Sequence, residues 1–206
     1  LLMLKPDMVI AWKSGNQAED LAQIKRLGIE LYLSDPSSIE GVASEILKLG
    51  QITGHIEQSK KVAETFTAKL NAIKVTQKDK TTLTGFYQLW PEPMMTVSKK
   101  TWINQLIETC QVTNVFANSD TDYPQISIEN VIVTKPQVII IPDEKSKRVI
   151  PTFNWQQWPE IPAVKYEQFI SVNADLLHRF TPRMLDGLAQ MCDKVDISRE
   201  FIKSQL

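Results

Sequence analysis

One phrase occurs twice in this chain and limits what it can fold into. Leu4-Lys5-Pro6-Asp7 leads into Met8-Val9-Ile10-Ala11-Trp12, and Thr134-Lys135-Pro136-Gln137 leads into Val138-Ile139-Ile140-Ile141. A residue before proline is pushed out of the right-handed helical region, so each Lys-Pro predicts a helix end. The apolar run that follows predicts a strand buried on both faces, as in parallel sheets covered by helices. Helix, Lys-Pro, buried strand near each end predicts two similar α/β lobes rather than one continuous sheet. The opening Leu1-Leu2-Met3-Leu4 reads as the last turn of a helix, which gives the expectation that the sequence starts inside a domain.

Between the two copies the pattern alternates. After the strand Met8–Trp12, Asn16 with Glu19 predicts a capped helix ending at Gly28. Glu30–Ser34 is the next strand, and Ser37 with Glu40 predicts a second capped helix ending at Gly50. That is βαβα with parallel strands, and two strands are fewer than a doubly wound sheet normally has. From His55 to Lys78 there is no Pro or Gly, and Val62, Phe66, Leu70 and Ile73 recur at helical spacing. A helix of about 24 residues would be roughly 36 Å long, the dimensions of a rigid connector. The second lobe then offers a strand in Thr81–Trp90, a helix over Lys100–Cys110, a strand at Asn114–Ala117 and a helix over Ser127–Val133. Strands at Val138–Pro142 and Lys165–Val172 follow, and a last helix has Thr181 as N-cap and Pro182 at its first position. The expected organisation is a partial N-terminal lobe over 1–54, a connecting helix over 55–78 and a C-terminal lobe over 79–206.

Composition excludes several classes of partner. With 23 basic and 24 acidic residues well mixed and a formal charge of -1, no basic face advertises nucleic acid or an anionic membrane. The longest apolar runs fall far short of the roughly 20 residues that span a bilayer. No GxGxxG, GxxxxGK[ST], GxSxG or HExxH is present, so the chain is not expected to be an enzyme. His55 and His178 are the only histidines and fall in different lobes, which gives neither a metal cluster nor a catalytic dyad local support. Cys110 and Cys192 lie in apolar helical patterns, Trp102–Cys110 and Met184–Cys192. They read either as two buried thiols or as one bridge, which would close a loop of about 80 residues.

Aromatic and sulfur-bearing residues stand where strands end: Trp12 after the first strand, Trp90 and Met94-Met95 after the first strand of the second lobe, Tyr123 in the loop Ser119–Pro124. Ligands of open parallel sheets bind at the carboxyl ends of strands, so these residues either cap the core or line a cleft for a large, partly apolar ligand. Asp175 and Arg179, spaced i, i+4 after the last strand, either form a surface ion pair or present an acceptor and a donor to ligand amides. Glu129 suits the positive end of the helix that it opens.

These residues resemble a known family. Leu4-Lys-Pro-Asp-Met-Val-Ile-Ala-Trp12, Asn104-Gln105 with Glu108-Thr-Cys110, Tyr123-Pro-Gln-Ile-Ser127 with Glu129, and Asp175 through Arg179 to Thr181-Pro-Arg183 are similar to the cobalamin-binding periplasmic proteins of ABC importers. Those proteins fall within the metal-chelate-binding class built on one long backbone helix. The resemblance covers essentially the whole chain. It implies two Rossmann-like lobes with parallel-rich sheets, the first incomplete here because the family has sequence ahead of Leu1. It implies a periplasmic carrier without enzyme activity or cofactor, which captures cobalamin or a related corrinoid between the lobes and hands it to the permease subunits. It places Trp12, Met95, Tyr123, Asp175 and Arg179 around the corrinoid. Trp90 is added here on position alone. The family carries Phe at Met95 and Trp at Tyr123, and both replacements keep a soft or aromatic surface. It also implies a disulfide between Cys110 and Cys192, and docking of Glu129 on permease arginines, the first-lobe counterpart falling just ahead of Leu1. Haem or a ferric siderophore is the alternative ligand within the fold, and a truncated fragment without binding activity is the other alternative.

Overall fold

The computed structural model describes residues 3–13, 15–143 and 153–205, and the chain divides into two compact units, Leu1–Ser37 and Ser38–Leu206. In the first unit β1 (Met8–Trp12) pairs in parallel with β2 (Glu30–Ser34), Met8 opposite Glu30 and Trp12 opposite Ser34, and α1 (Ala18–Arg26) connects them. Both strands match the sequence expectation to the residue. The capping box does not form: Gln17 is the N-cap, and the Asn16 amide donates instead to the Trp12 carbonyl at 2.6 Å. Among the described residues this sheet has two strands, so β1 is not buried on both faces, and Ile10 is half exposed.

The second unit begins with a helical pair, α2 (Gly41–Ile52) and α3 (Ile56–Gln77), packed along each other. Both helices fall in the second compact unit. Ser59, Ala63, Phe66, Leu70 and Gln77 form the buried stripe of α3, the expected long helix, which at 22 residues measures roughly 33 Å. The N-cap of α2 is Glu40 rather than Ser37. Its carboxylate bonds Lys74 of α3, while Ser38 Oγ accepts from the Gly41 N–H at 3.0 Å.

Next come β3 (Leu83–Tyr87), β4 (Trp90–Pro91), β5 (Met94–Met95), α4 (Trp102–Thr109), β6 (Val112–Asn114), α5 (Ile128–Thr134) and β7 (Val138–Asp143). The chain ends with α6 (Pro162–Lys165), β8 (Phe169–Asn173), α7 (Ala174–Leu177) and α8 (Met184–Ser204). The main sheet runs β6-β3-β7-β8, every neighbour parallel. Alternation splits it into two cores. Leu83, Tyr87, Val138, Ile140, Ile170 and Val172 face α3, α4 and α8, whereas Phe86 and Ile139 face α5, Trp155 and Ile161. Val138, Ile139 and Ile140 are fully buried, as expected for the second copy of the repeated phrase. Gly85 sits where β3 is squeezed between its neighbours: a Cβ there would lie 2.4 Å from Val112 Cγ1.

Three expectations shift. The strand after α4 is Val112–Asn114, not Asn114–Ala117, because the Asn114 side chain accepts from the Phe116 N–H at 2.9 Å and turns the chain. Lys165 ends a helical turn opened by Pro162, so β8 starts at Phe169. Thr181-Pro182 form a turn whose carbonyls receive Met184 and Leu185 N–H, and α8 starts two residues later than expected. Lys5 and Lys135 both take the left-handed conformation, at φ 42° and 47°. The helix end at Lys135 is therefore a left-handed cap, with its N–H on the Val131 carbonyl, rather than the extended residue that the following proline suggests.

Candidate functional site

All of the second-unit ligand candidates stand on segments that leave the carboxyl ends of parallel strands. Trp90 and Met95 follow β3, Tyr123 follows β6, and Asp175 and Arg179 follow β8. Trp90 and Met95 are direct partners in the antiparallel β4–β5 ribbon, and Met95 also bridges to Gln125. Hydrogen bonds extend that seam: Ile126 N–H donates to the Met94 carbonyl at 3.0 Å, Thr96 N–H to Pro124 O at 3.0 Å, and Ser98 N–H to Asp122 O at 2.9 Å. Tyr123 is thereby held beside the ribbon that carries Trp90 and Met95.

Their exposure suits a ligand surface. Trp90 is 37% exposed with its indole N–H on the Glu92 carbonyl at 3.0 Å, and Tyr123 is 45% exposed. Partial burial, helped by the charge of Asp122, holds the Tyr123 phenol above its ordinary pKa, so it presents a neutral hydroxyl. Arg179 donates to Asp175 at 3.0 Å across the single turn of α7, and both side chains are at least half exposed. One carboxylate and one guanidinium side by side can accept from and donate to a primary amide.

Trp12 closes β1 in the first unit, half exposed. A Cβ at Gly15 would lie 2.1 Å from the Trp12 ring, so a larger residue there would displace the indole. Glu129 is exposed in the first turn of α5, and a hydrogen bond from the Ser127 side chain holds its carboxyl below the usual range. Cys110 and Cys192 form the disulfide, with S–S 2.03 Å.

Two residues behind this surface carried no sequence signal. Tyr87, at the carboxyl end of β3, is fully buried and bonds His178 Nε2 through its hydroxyl at 2.8 Å. Gln88 Oε1 accepts from the Trp155 indole at 2.7 Å, tying the same strand end to the other core. The larger hollows of the second unit lie elsewhere, and one of about 550 Å3 is lined by Ala43, Leu47, Lys60, Ala63 and Thr67 of α2 and α3. Another of about 500 Å3 is lined by Ile39, Glu40, Lys74, Gln105 and Glu108, and one of about 420 Å3 by Lys80, Gln137, Asp196 and Arg199. The last opens at the amino ends of strands, the end that open parallel sheets do not use for ligands. Among the described residues no group of three or more His, Cys, Asp or Glu could hold a metal ion, and no helix is long and apolar enough to cross a membrane.

A parallel sheet with aromatic, thioether and amide-matching side chains gathered past its strand ends defines a ligand-binding α/β protein. The model of the family described as periplasmic binding protein matches residues 1–176. The Vitamin B12-binding protein of Vibrio cholerae serotype O1 is 33% identical over 201 residues, 97% of this chain and 72% of its own length. That of Vibrio parahaemolyticus is 34% identical over 195 residues, 94% of this chain and 70% of its own. The crystal structure of the periplasmic vitamin B12 binding protein BtuF of Vibrio cholerae has a TM-score of 0.86 at 34% identity, covering 96% of this chain and 77% of that one. A periplasmic haem-binding protein from Roseiflexus, at a TM-score of 0.80 and 18% identity, shares the fold. The chain belongs to the periplasmic binding protein family.

Proposed function

We propose that this chain is the periplasmic substrate-binding protein of an ABC importer, and that it captures cobalamin or a closely related corrinoid and delivers it to the permease. The observation that carries this reading is the one-third identity, over nearly the whole chain, to proteins named for vitamin B12 binding. The surface chemistry supports it. A corrinoid is a broad apolar macrocycle fringed with primary amides. Trp12, Trp90, Met95 and Tyr123 offer apolar and polarisable contact, and Asp175 and Arg179 offer the acceptor and donor for the fringe. In this reading residues 1–54 make the N-terminal lobe, 55–78 the connecting helix and 79–206 the C-terminal lobe. Glu129 is the docking residue for permease arginines. Rim charges of this kind steer and orient an encounter more than they set its affinity.

Titration of the protein with cyanocobalamin, followed by tryptophan fluorescence and visible absorption, tests the reading, with haemin and a ferric siderophore run alongside. Saturable quenching by cyanocobalamin at micromolar concentrations or below, with no response to the other two, is the expected result. A response confined to haemin or the siderophore overturns the corrinoid assignment.

A further inference from the structure

The Asp175–Arg179 pair sits on a helix of one turn, which has no cooperative stability of its own and must be held by tertiary contacts. Behind it, Leu176 and Leu177 pack against Gly187 of α8, where an added Cβ would lie 2.9 Å from Leu176 Cβ. The N-terminal end is fixed by Asn173, whose Oδ1 accepts from the Leu176 N–H at 3.3 Å. At the C-terminal end stands His178, next to Arg179, with its N–H on the Ala174 carbonyl at 2.8 Å. Its ring Nε2 reaches past β7 to the Tyr87 hydroxyl on β3, 2.8 Å away.

Tyr87 is also tied to the other half of the surface. Its carbonyl accepts from Thr96 Oγ1 at 2.7 Å, and Thr96 is completely buried. Thr96 follows Met95 directly and donates its own N–H to Pro124 beside Tyr123. Leu89 N–H, two residues past Tyr87, donates to the Met95 carbonyl at 2.9 Å. A polar pair in an otherwise apolar layer costs desolvation unless it is bonded, and here the Tyr87 hydroxyl and carbonyl both bond segments that carry ligand candidates.

We infer that Tyr87 and His178 form a positioning relay that holds the Asp175–Arg179 pair in fixed register with the Trp90, Met95 and Tyr123 surface. The inference rests on the corrinoid reading for its ligand, and it assigns Tyr87 and His178 no contact with that ligand. Burial raises the Tyr87 phenol pKa well above its ordinary value, so the relay keeps its hydroxyl proton over the whole physiological range.

Four variants test it against cyanocobalamin. Tyr87→Phe keeps the ring and removes the hydroxyl, His178→Leu removes its partner, His178→Gln keeps a polar atom near Nε2, and Arg179→Ala removes the positioned group. Tyr87→Phe and His178→Leu are expected to weaken binding about 5-fold, the loss of one modest hydrogen bond's worth of order, with His178→Gln restoring most of it. In the Arg179→Ala background Tyr87→Phe is expected to add nothing; an equal loss in both backgrounds marks a general structural effect and overturns the relay. In ligand-free protein, amide hydrogen exchange at 174–179 is expected to accelerate in Tyr87→Phe while the α3 amides stay protected. Wild-type protein that fails to bind cyanocobalamin overturns the proposed function, and the relay is then judged by exchange alone. Unchanged exchange at 174–179 overturns it.

Discussion

Arg199 donates from Nη2 to the carbonyl oxygen of Cys110 at 2.8 Å, although the two residues are 89 positions apart. The same guanidinium donates to Thr81 O at 2.6 Å and bonds the Asp196 carboxylate. Cys192 lies two turns earlier on the same buried face of α8, so a covalent tie and a polar one both fasten this helix to the C-terminal end of α4.

Removing the covalent tie exposes its share. The bridge closes a loop of 82 residues. On the chain-entropy view, loops of this size stabilise by about 4 kcal/mol, and losses of about 2–5 kcal/mol are usual when a native bridge is removed. The Cys110→Ala, Cys192→Ala double variant is expected to fall in that range by urea unfolding. A loss under about 1 kcal/mol would show that the Arg199 contacts alone hold the helix.

Acid should find the polar tie. Burial works to raise the Asp196 pKa, but hydrogen bonds from Lys80 at 2.5 Å and Gln77 at 3.1 Å, with the charges of Lys80 and Arg199, outweigh it and hold the carboxyl below its usual range. A depressed folded-state pKa contributes stability that is complete above the unfolded value of about 3.9 and is lost as pH falls through the folded one. Asp196→Asn is expected to lose about 1–3 kcal/mol at pH 7, since it removes the counter-charge of a buried guanidinium, and to show a shallower decline than wild type below about pH 4. Parallel acid branches in urea unfolding between pH 7 and 3 would remove this role from Asp196. Glu40, whose carboxyl is lowered chiefly by its bond from Lys74, contributes with the same sign.

Where signals were local, the sequence sufficed. β1, β2 and the long helix α3 follow from runs of apolar residues bounded by Pro and Gly, or from helical periodicity without either, and each lies at or within a residue of its expected bounds. The expected caps shifted by a different route in each helix: Asn16 bonds the Trp12 carbonyl four residues back, and the Glu40 carboxylate bonds Lys74, 34 residues away, which no local pattern encodes. The candidate ligand residues were visible because strand ends are visible. Their support was not, since the Tyr87–His178 bond joins residues 91 positions apart, and a lone histidine carries no hint of its partner.

Close strand packing predicts an intolerance at Gly85. An alanine Cβ there would meet Val112 Cγ1 at 2.4 Å and Val138 Cγ2 at 3.2 Å. Overpacking of this kind costs about 1–3 kcal/mol, so Gly85→Ala should unfold at clearly lower urea. Val112→Ala makes room for the added methyl, and in that background Gly85→Ala is expected to cost much less. Equal costs in the two backgrounds would place the strain elsewhere.

Docking is separable from capture if Glu129 has the role proposed for it. The residue is fully exposed in the first turn of α5, and the hydrogen bond from the Ser127 side chain lowers its pKa, so it is ionised at neutral pH. Reversing an exposed rim charge acts mainly on the rate of productive encounter. Glu129→Arg is therefore expected to slow association with the cognate permease by about 10-fold at low salt, Glu129→Gln by less, and both effects should shrink as salt screens the pair. Cyanocobalamin titration of the same variants should match wild type, because Glu129 stands on a different segment from the ligand candidates. Permease reconstituted in nanodiscs and assayed for association across a salt series gives the comparison, and variants that dock at the wild-type rate at low salt would leave Glu129 as a helix-opening residue and nothing more.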